Sequence, residues 1–265
     1  MFRVEFIGLP GAGKSHIREN LVKGLKLANK ESYITTEKAF IQASKTKIDR
    51  LNHFLIRCLP DNIGLKVANR LIDRSAVRFE AQNKFLARWG KAFETFLSSP
   101  GFDNMSIGDR EIVISGFLGT GIIFERINGS LPENTVIFFE EGFVQKSFMF
   151  ISHLIDYDEN KSSLFSYLEY IPLPDLIIYV RADINTCYER MLYRQKGVTE
   201  RLKGANREAI LDFLKIADNH LKTVISWLKN KKNIHLMEID NEDASETKVL
   251  ENKIRMHFMN IKLNC

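Results

Sequence analysis

Short apolar runs alternate with longer amphipathic stretches along this chain. Five runs are dense in Val, Ile, Leu or Phe and brief enough for strands: Phe2 to Ile7, Glu31 to Thr36, Thr135 to Phe139, Leu176 to Val180 and Asn233 to Ile239. Between them the apolar positions recur at helical spacing. Ile17, Leu21, Val22, Leu25 and Leu27 predict a helix from Lys14 to Ala28. Phe40 to Leu97 reads as helix, broken at Pro60-Asp61-Asn62 and closed by Ser98-Ser99-Pro100-Gly101. Further helices are predicted from Asp109 to Ile127, from Gly142 to Tyr170, from Arg207 to Lys229 and from Ala244 to Phe258. Asp183 or Asn185 is placed to cap one more. Strands that alternate with helices predict a mostly parallel sheet with right-handed crossovers. The expected architecture is α/β: a five-stranded, mostly parallel sheet flanked by helices, in a single domain over 1–265. The long helical stretch at 40–130 reads as an insertion in it.

The first strand and first helix are joined by Gly8-Leu9-Pro10-Gly11-Ala12-Gly13-Lys14-Ser15. This is G-x-x-x-x-G-K-S, the phosphate-binding loop of the P-loop NTPases, in the strand–turn–helix context that it requires. Gly8, Gly11 and Gly13 permit backbone angles that side chains forbid, so the loop can turn its N–H groups inward. The helix start adds unpaired donors and partial positive charge. Gly8, Pro10, Gly11, Ala12, Gly13, Lys14, Ser15 and His16 are therefore the expected nucleotide-binding residues. Lys14 would reach the β- and γ-phosphates, and the Ser15 hydroxyl would serve Mg²⁺.

Other chemistry-bearing residues fall at the same ends of the predicted strands, where ligands of such sheets bind. Glu140-Glu141-Gly142 follows the third strand. One carboxylate there, Glu140, would serve the metal beside Ser15; the other, Glu141, could take the proton of an attacking hydroxyl. Glu37 lies just past the second strand and is an alternative base; the Asp109-Arg110 pair is another candidate. Arg190 and Arg194 stand four residues apart on one helical face, ahead of a basic stretch with Lys196, Arg201 and Lys203. An arginine-bearing lid over 190–205, with Gly197 and Gly204 as hinges, would offset charge on the transferring phosphoryl group.

Composition narrows the setting. The chain has 265 residues, 45% of them hydrophobic, with a net charge of +5. No apolar run reaches the ~20 residues of a membrane span, and no signal-peptide pattern opens the chain. Cys58, Cys187 and Cys265 are scattered, which argues for a reducing compartment and against disulfides or structural zinc. A cytoplasmic protein is expected, with no nucleic-acid partner; a homodimer stays open. Phe40 to Thr95 carries eleven Lys and Arg against five Asp and Glu. Those basic helices are expected to shape an acceptor pocket that suits an anionic compound.

The chain resembles the P-loop nucleoside and nucleotide kinases, of the thymidylate kinase and deoxynucleoside kinase type. The resemblance rests on Gly8–Ser15, on Val136–Phe139 with Glu140-Glu141-Gly142, on Pro174-Asp175-Leu176-Ile177-Ile178-Tyr179-Val180 followed by Tyr188-Glu189-Arg190 and Arg194, and on His235 to Asp240. It implies that Arg190, Arg194 and Arg201 are lid residues and that the loop from Asp240 to Ser245 lies near adenine. It covers roughly 1–37 and 134–260 and departs at 40–130. A thymidylate kinase places Asp-Arg after its third strand, where this chain has Glu-Glu-Gly. What the resemblance implies is ATP-dependent phosphotransfer, with the acceptor open.

The sequence thus predicts an ATP- and Mg²⁺-dependent kinase acting on a hydroxyl or phosphate of a small molecule: nucleotide, sugar or other metabolite. The rival is a regulatory P-loop ATPase or nucleotide-dependent binding protein. A GTPase is disfavoured because Asn230-Lys231-Lys232-Asn233 lacks the Asp of the N-K-x-D motif.

Overall fold

A computed structural model describes residues 1–28, 33–45, 76–151, 157–193, 198, 202–231, 233–241, 252 and 256. The predicted positions Arg194, Lys196, Gly197, Arg201, Cys58, Cys265 and the helix at 244–258 lie outside these, apart from Asn252 and Met256.

The strands are β1 (Phe2–Ile7), β2 (Tyr33–Thr35), β3 (Val136–Phe139), β4 (Leu176–Arg181) and β5 (His235–Asp240). They form one parallel sheet in the order β2-β3-β1-β4-β5. Helices supply the crossovers: α1 (Lys14–Ala28), α2 (Thr36–Lys45), α3 (Ala76–Leu97), α4 (Pro100–Asp103), α5 (Ile107–Ile127), α6 (Tyr157–Tyr170), α7 (Ile184–Leu192) and α8 (Arg207–Lys229). The protein therefore has the P-loop α/β fold. With helices on both faces, the central strands are apolar throughout: β3 and the first five residues of β4 are fully buried.

β1 sits in the middle, between β3 and β4. From β1 the chain crosses to the edge to lay β2, returns to place β3 between β2 and β1, and then adds β4 and β5 on the other side. Strand order reverses at β1, and the crevice beyond its C-terminal end is where such sheets bind ligands.

Three boundaries differ from expectation. Among the described residues the second strand is Tyr33–Thr35; the Thr36 hydroxyl donates to the Phe138 carbonyl at 3.0 Å, and helix α2 starts there. The stretch after Gly142 is not one helix. Gln145–Phe150 is a 3₁₀ turn, and α6 begins at Tyr157. Helix α5 starts at Ile107, because Ser106 caps it by accepting from the Asp109 N–H. Asp109 and Arg110 serve that same junction, with Arg110 donating to the carbonyls of Met105 and Asp103. The predicted cap Asp183 holds α7, accepting from the N–H groups of Asn185 and Thr186.

Helix α3 packs on α5 and α6, and its aromatics stack on Phe117 of α5 and on Phe143 in the turn after β3. Phe85 stacks on Phe143 with centroids 5.3 Å apart, and Phe93 on Phe117 at 5.1 Å. Phe85 and Phe96 are core residues, while Phe79 is exposed. No helix among the described residues is long and apolar enough to cross a membrane.

Candidate functional site

Gly8 to Ser15 leaves the end of β1 and enters α1 as expected. Gly13 has φ 93°, and a Cβ there would overlap the side-chain amide of Asn241. That amide donates to the Ala12 carbonyl at 2.8 Å, so the end of β5 is stitched to the loop. The Lys14 ammonium donates to the carbonyls of Gly8 at 2.8 Å and Leu9 at 3.0 Å, folded back over the loop it belongs to.

One turn further along α1, Arg18 is almost fully buried and joins two carboxylates. Its guanidinium lies 3.2 Å from Glu37 and 3.1 Å from Glu140. The Ser15 hydroxyl donates to the other oxygen of Glu140. A continuous chain of contacts thus runs Glu37–Arg18–Glu140–Ser15. Burial raises the Glu37 carboxyl, but the Arg18 charge and hydrogen bonds from Thr35 and Arg18 outweigh it and hold the group below the usual carboxylate range. The hydroxyl and carboxylate oxygens brought together at Ser15 and Glu140 are hard donors of the kind Mg²⁺ takes.

The turn after β3 reaches the loop from the other side. The Gln145 side-chain amide clasps Gly8, accepting its N–H at 3.0 Å and donating to its carbonyl at 3.2 Å. The Gln145 N–H in turn donates to Glu5 at 2.7 Å. Glu5 is wholly buried in β1, and burial pushes its carboxyl up to about 7 against the backbone hydrogen bonds from Gln145 and Val144. Only a glycine fits at 142, because a Cβ would overlap the Glu5 carboxyl group.

Arg190 projects from α7 to the loop. One of its nitrogens donates to the Asn241 carbonyl at 2.9 Å; the other, Nη1, is buried beside Gly13 without a hydrogen-bond partner. A buried guanidinium nitrogen with no acceptor, set against a phosphate loop, fits an anion. Behind it, Cys187 is buried, and burial pushes its thiol up to about 11, so it has little thiolate character near neutral pH.

A cavity of about 440 Å³ unites these groups. Pro10, Gly11, Gly13, Lys14, Ser15, His16, Glu140, Glu141 and Arg190 all line it. Gln145 and Lys146 line it too, with Lys146 donating to Glu141 at 3.2 Å. His16 is exposed and accepts from the Asn20 amide.

Two predicted residues lie elsewhere. Glu37 does not line the cavity and reaches it only through Arg18. Asp240 lines a separate hollow with Arg181, Glu238 and Lys229; it is its neighbour Asn241 that touches the loop. Of the basic stretch at 40–95, residues 46–75 lie outside the described residues. None of its described residues lines the cavity, whose helical wall comes from α5 through Ile112, Val113 and Gly116.

Three residues of the site escaped the sequence reading, and a fourth, Asn241, entered it only within the loop from Asp240 to Ser245. Arg18 was legible in principle, since Lys14, Ser15 and Arg18 share a helix face by their spacing. Glu5 was, with Arg3, a charge inside a strand otherwise apolar, which flags an unusual environment. Gln145 and Asn241 have no local signal, because their partners are 137 and 229 residues away.

No protein-family model and no curated protein matches the sequence. Among solved structures, the chain is similar to deoxyadenosine kinase from M. mycoides with bound dATP. That alignment covers 96% of this chain and 99% of the kinase at 15% identity, with a TM-score of 0.42. The same kinase with the products dCMP and dCDP bound aligns over the same shares at 13% identity and a TM-score of 0.41.

Proposed function

We propose that this protein is an ATP- and Mg²⁺-dependent kinase that transfers the γ-phosphate to a hydroxyl of a small molecule. The observation that carries this is the Ser15–Glu140 contact, with its Arg18 tether, set in one cavity with Lys14, Glu141 and Arg190. Glu140 and Ser15 hold the metal, which offsets charge on the phosphate oxygens when bound. The loop N–H groups and Lys14 bind the β- and γ-phosphates, Lys14 leaving the Gly8 and Leu9 carbonyls to do so. Arg190 turns its Nη1 to a phosphate oxygen.

Glu141 takes the acceptor proton in this reading. It lines the cavity, whereas Glu37 does not and Glu140 is engaged by both Ser15 and Arg18.

ATP turnover measured with and without hydroxyl acceptors tests the proposal. Acceptor-dependent ADP release and a phosphorylated product by mass spectrometry are expected, with Glu140→Gln losing about 100-fold or more in kcat. Hydrolysis that runs equally fast without any acceptor, and no phosphorylated product, would instead make the protein a regulatory ATPase.

A further inference from the structure

The cavity that holds the phosphate loop has a second wall, and its chemistry narrows the acceptor. Ile112, Val113 and Gly116 of α5 face it from one side; Phe148 and Met149 of the 3₁₀ turn and Phe213 of α8 line it from others. Met149 and Phe213 are buried, and no charge stands among these six.

Helix α5 explains why this wall is apolar by construction. Its C-terminal half is buried on most sides, through Phe117, Gly121, Ile122, Phe124, Glu125, Arg126 and Ile127. Its N-terminal half is not, and a helix with one buried face would be polar on the other there. Here the run Ile112-Val113-Ile114-Ser115-Gly116-Phe117-Leu118 is apolar on several sides, and Ile112 remains 53% exposed beside the cavity. Gly116 leaves room there, since a Cβ would meet only the Lys146 ammonium, at 3.6 Å.

The polar groups settle which apolar-walled ligand fits. A nucleobase carries several donors and acceptors on its edge, and a sugar carries a ring of hydroxyls. Each that is buried without a partner costs about ten-fold in affinity. Carboxamides, guanidinium groups and carboxylates are the side chains that pair with such edges. Among the described residues lining this cavity the one carboxamide is Gln145, and both its polar atoms are spent on Gly8. Lys14, Ser15, His16, Glu140 and Arg190 belong to the phosphate end. Among the described lining side chains, the polar groups away from that end are the Glu141–Lys146 pair, enough to receive one hydroxyl.

We infer that the acceptor is an alcohol with an apolar body, of terpenoid or arylalkyl type, whose hydroxyl is its main polar group. The inference rests on the kinase reading above and deepens it. The alcohol oxygen forms a bond to the γ-phosphorus of ATP, the bond from that phosphorus to the β–γ bridging oxygen breaks, ADP leaves with the electron pair, and the hydroxyl proton passes to Glu141. The product is a monophosphate ester.

The test uses the full chain with radiolabelled ATP and Mg²⁺. Geraniol, farnesol and cinnamyl alcohol are set against thymidine, deoxyadenosine and glucose. The expected result is a kcat/KM at least about ten-fold higher for one of the apolar alcohols than for any of the polar acceptors. Gly116→Leu, which fills the wall, should raise the KM for that alcohol about ten-fold or more while leaving the Kd for ATP within about two-fold. Val113→Ser is the second variant should Gly116→Leu fail to fold, and it should weaken the same alcohol. Preferred phosphorylation of a nucleoside or of glucose overturns the inference and leaves the kinase reading standing. If no acceptor is phosphorylated, the kinase reading falls, and calorimetry with ADP present decides the pocket. Binding of an apolar alcohol that Gly116→Leu abolishes supports it, and no binding of any alcohol overturns it.

Discussion

Gln145 grips Gly8 by both backbone groups, accepting its N–H at 3.0 Å and donating to its carbonyl at 3.2 Å. The contact ties the turn after β3 to the first residue of the phosphate loop. In the proposed reaction it holds the Gly8 carbonyl from a second direction once Lys14 turns to a phosphate.

Removing that grip should loosen the loop rather than the core. Gln145→Ala strands a buried N–H, a cost of about 1–3 kcal/mol. In a protein of this size that lowers Tm by about 2–10 °C. The Kd for ATP should rise about ten-fold, read by calorimetry. Gln145→Glu keeps an acceptor for the Gly8 N–H but sets a carboxylate oxygen against the Gly8 carbonyl. It should therefore bind ATP at least as poorly as Gln145→Ala. ATP affinity equal to wild type in both variants would show that Gly8 needs no clasp.

Arg18 keeps Glu37 and Glu140 apart in charge and together in space. Arg18→Met leaves two carboxylates without their shared cation, one of them the proposed metal ligand. Both are partly exposed, so the stability cost is modest, about 1–2 kcal/mol. The Mg²⁺ concentration for half-maximal activity should shift about 10–100-fold, the scale of losing a group that orients a ligand. Arg18→Lys holds one carboxylate at a time and should fall between. An unchanged Mg²⁺ titration in Arg18→Met would remove Glu140 from the metal site.

The parts of this protein that local pattern can announce were legible. β1, α1 and the glycine-rich loop are contiguous, and each is set by spacing within a few residues. The boundaries of α8 were legible too, since its apolar stripe runs unbroken from Ile210 to Leu228 and Asn206 caps it. Sheet order and the companions of the loop are another matter. Gln145 meets Gly8, and Asn241 meets Ala12, only after β3 and β5 are laid down in register. The same holds for the cavity wall. The basic stretch at 40–95 drew attention by its charge, whereas Val113 and Gly116 looked like ordinary helix residues until α5 was placed beside the loop.

Gly116 illustrates a site where stability and function pull apart. A glycine inside a helix costs roughly 0.5–1 kcal/mol relative to alanine. Alanine at this position meets only the Lys146 side chain at ordinary contact distance. Gly116→Ala should therefore raise Tm by about 1–4 °C, by thermal melt. Its effect on acceptor KM should be smaller than that of Gly116→Leu and of the same sign. A destabilised Gly116→Ala would mean that α5 packs more tightly there than the geometry indicates.

Two buried groups should shape the pH dependence of stability in opposite senses. Glu5 has its carboxyl raised from 4.5 to about 7 by burial, so the folded protein holds a proton that the unfolded chain releases above 4.5. Its contribution is full below pH 4.5 and is lost as pH rises through about 7. His220 is buried against Phe148 and hydrogen-bonded to Ser147, and burial lowers it from 6.5 to about 3. The folded protein leaves it neutral while the unfolded chain protonates it, so its contribution is full above pH 6.5 and is lost as pH falls through about 3. Each group alone gives a slope of about 1.4 kcal/mol per pH unit, and between 4.5 and 6.5 the two cancel. Wild type should show a plateau there. Glu5→Gln keeps an oxygen for the Gln145 N–H but removes the proton uptake, so its stability should rise with pH across the same window. His220→Gln should instead fall with pH. Urea melts at pH 4.8, 5.5 and 6.2 (about half a unit inside each limit) separate the three profiles, with differences of about 2 kcal/mol across the range. Three parallel flat profiles would mean that neither group is buried in the ionisation state assigned to it.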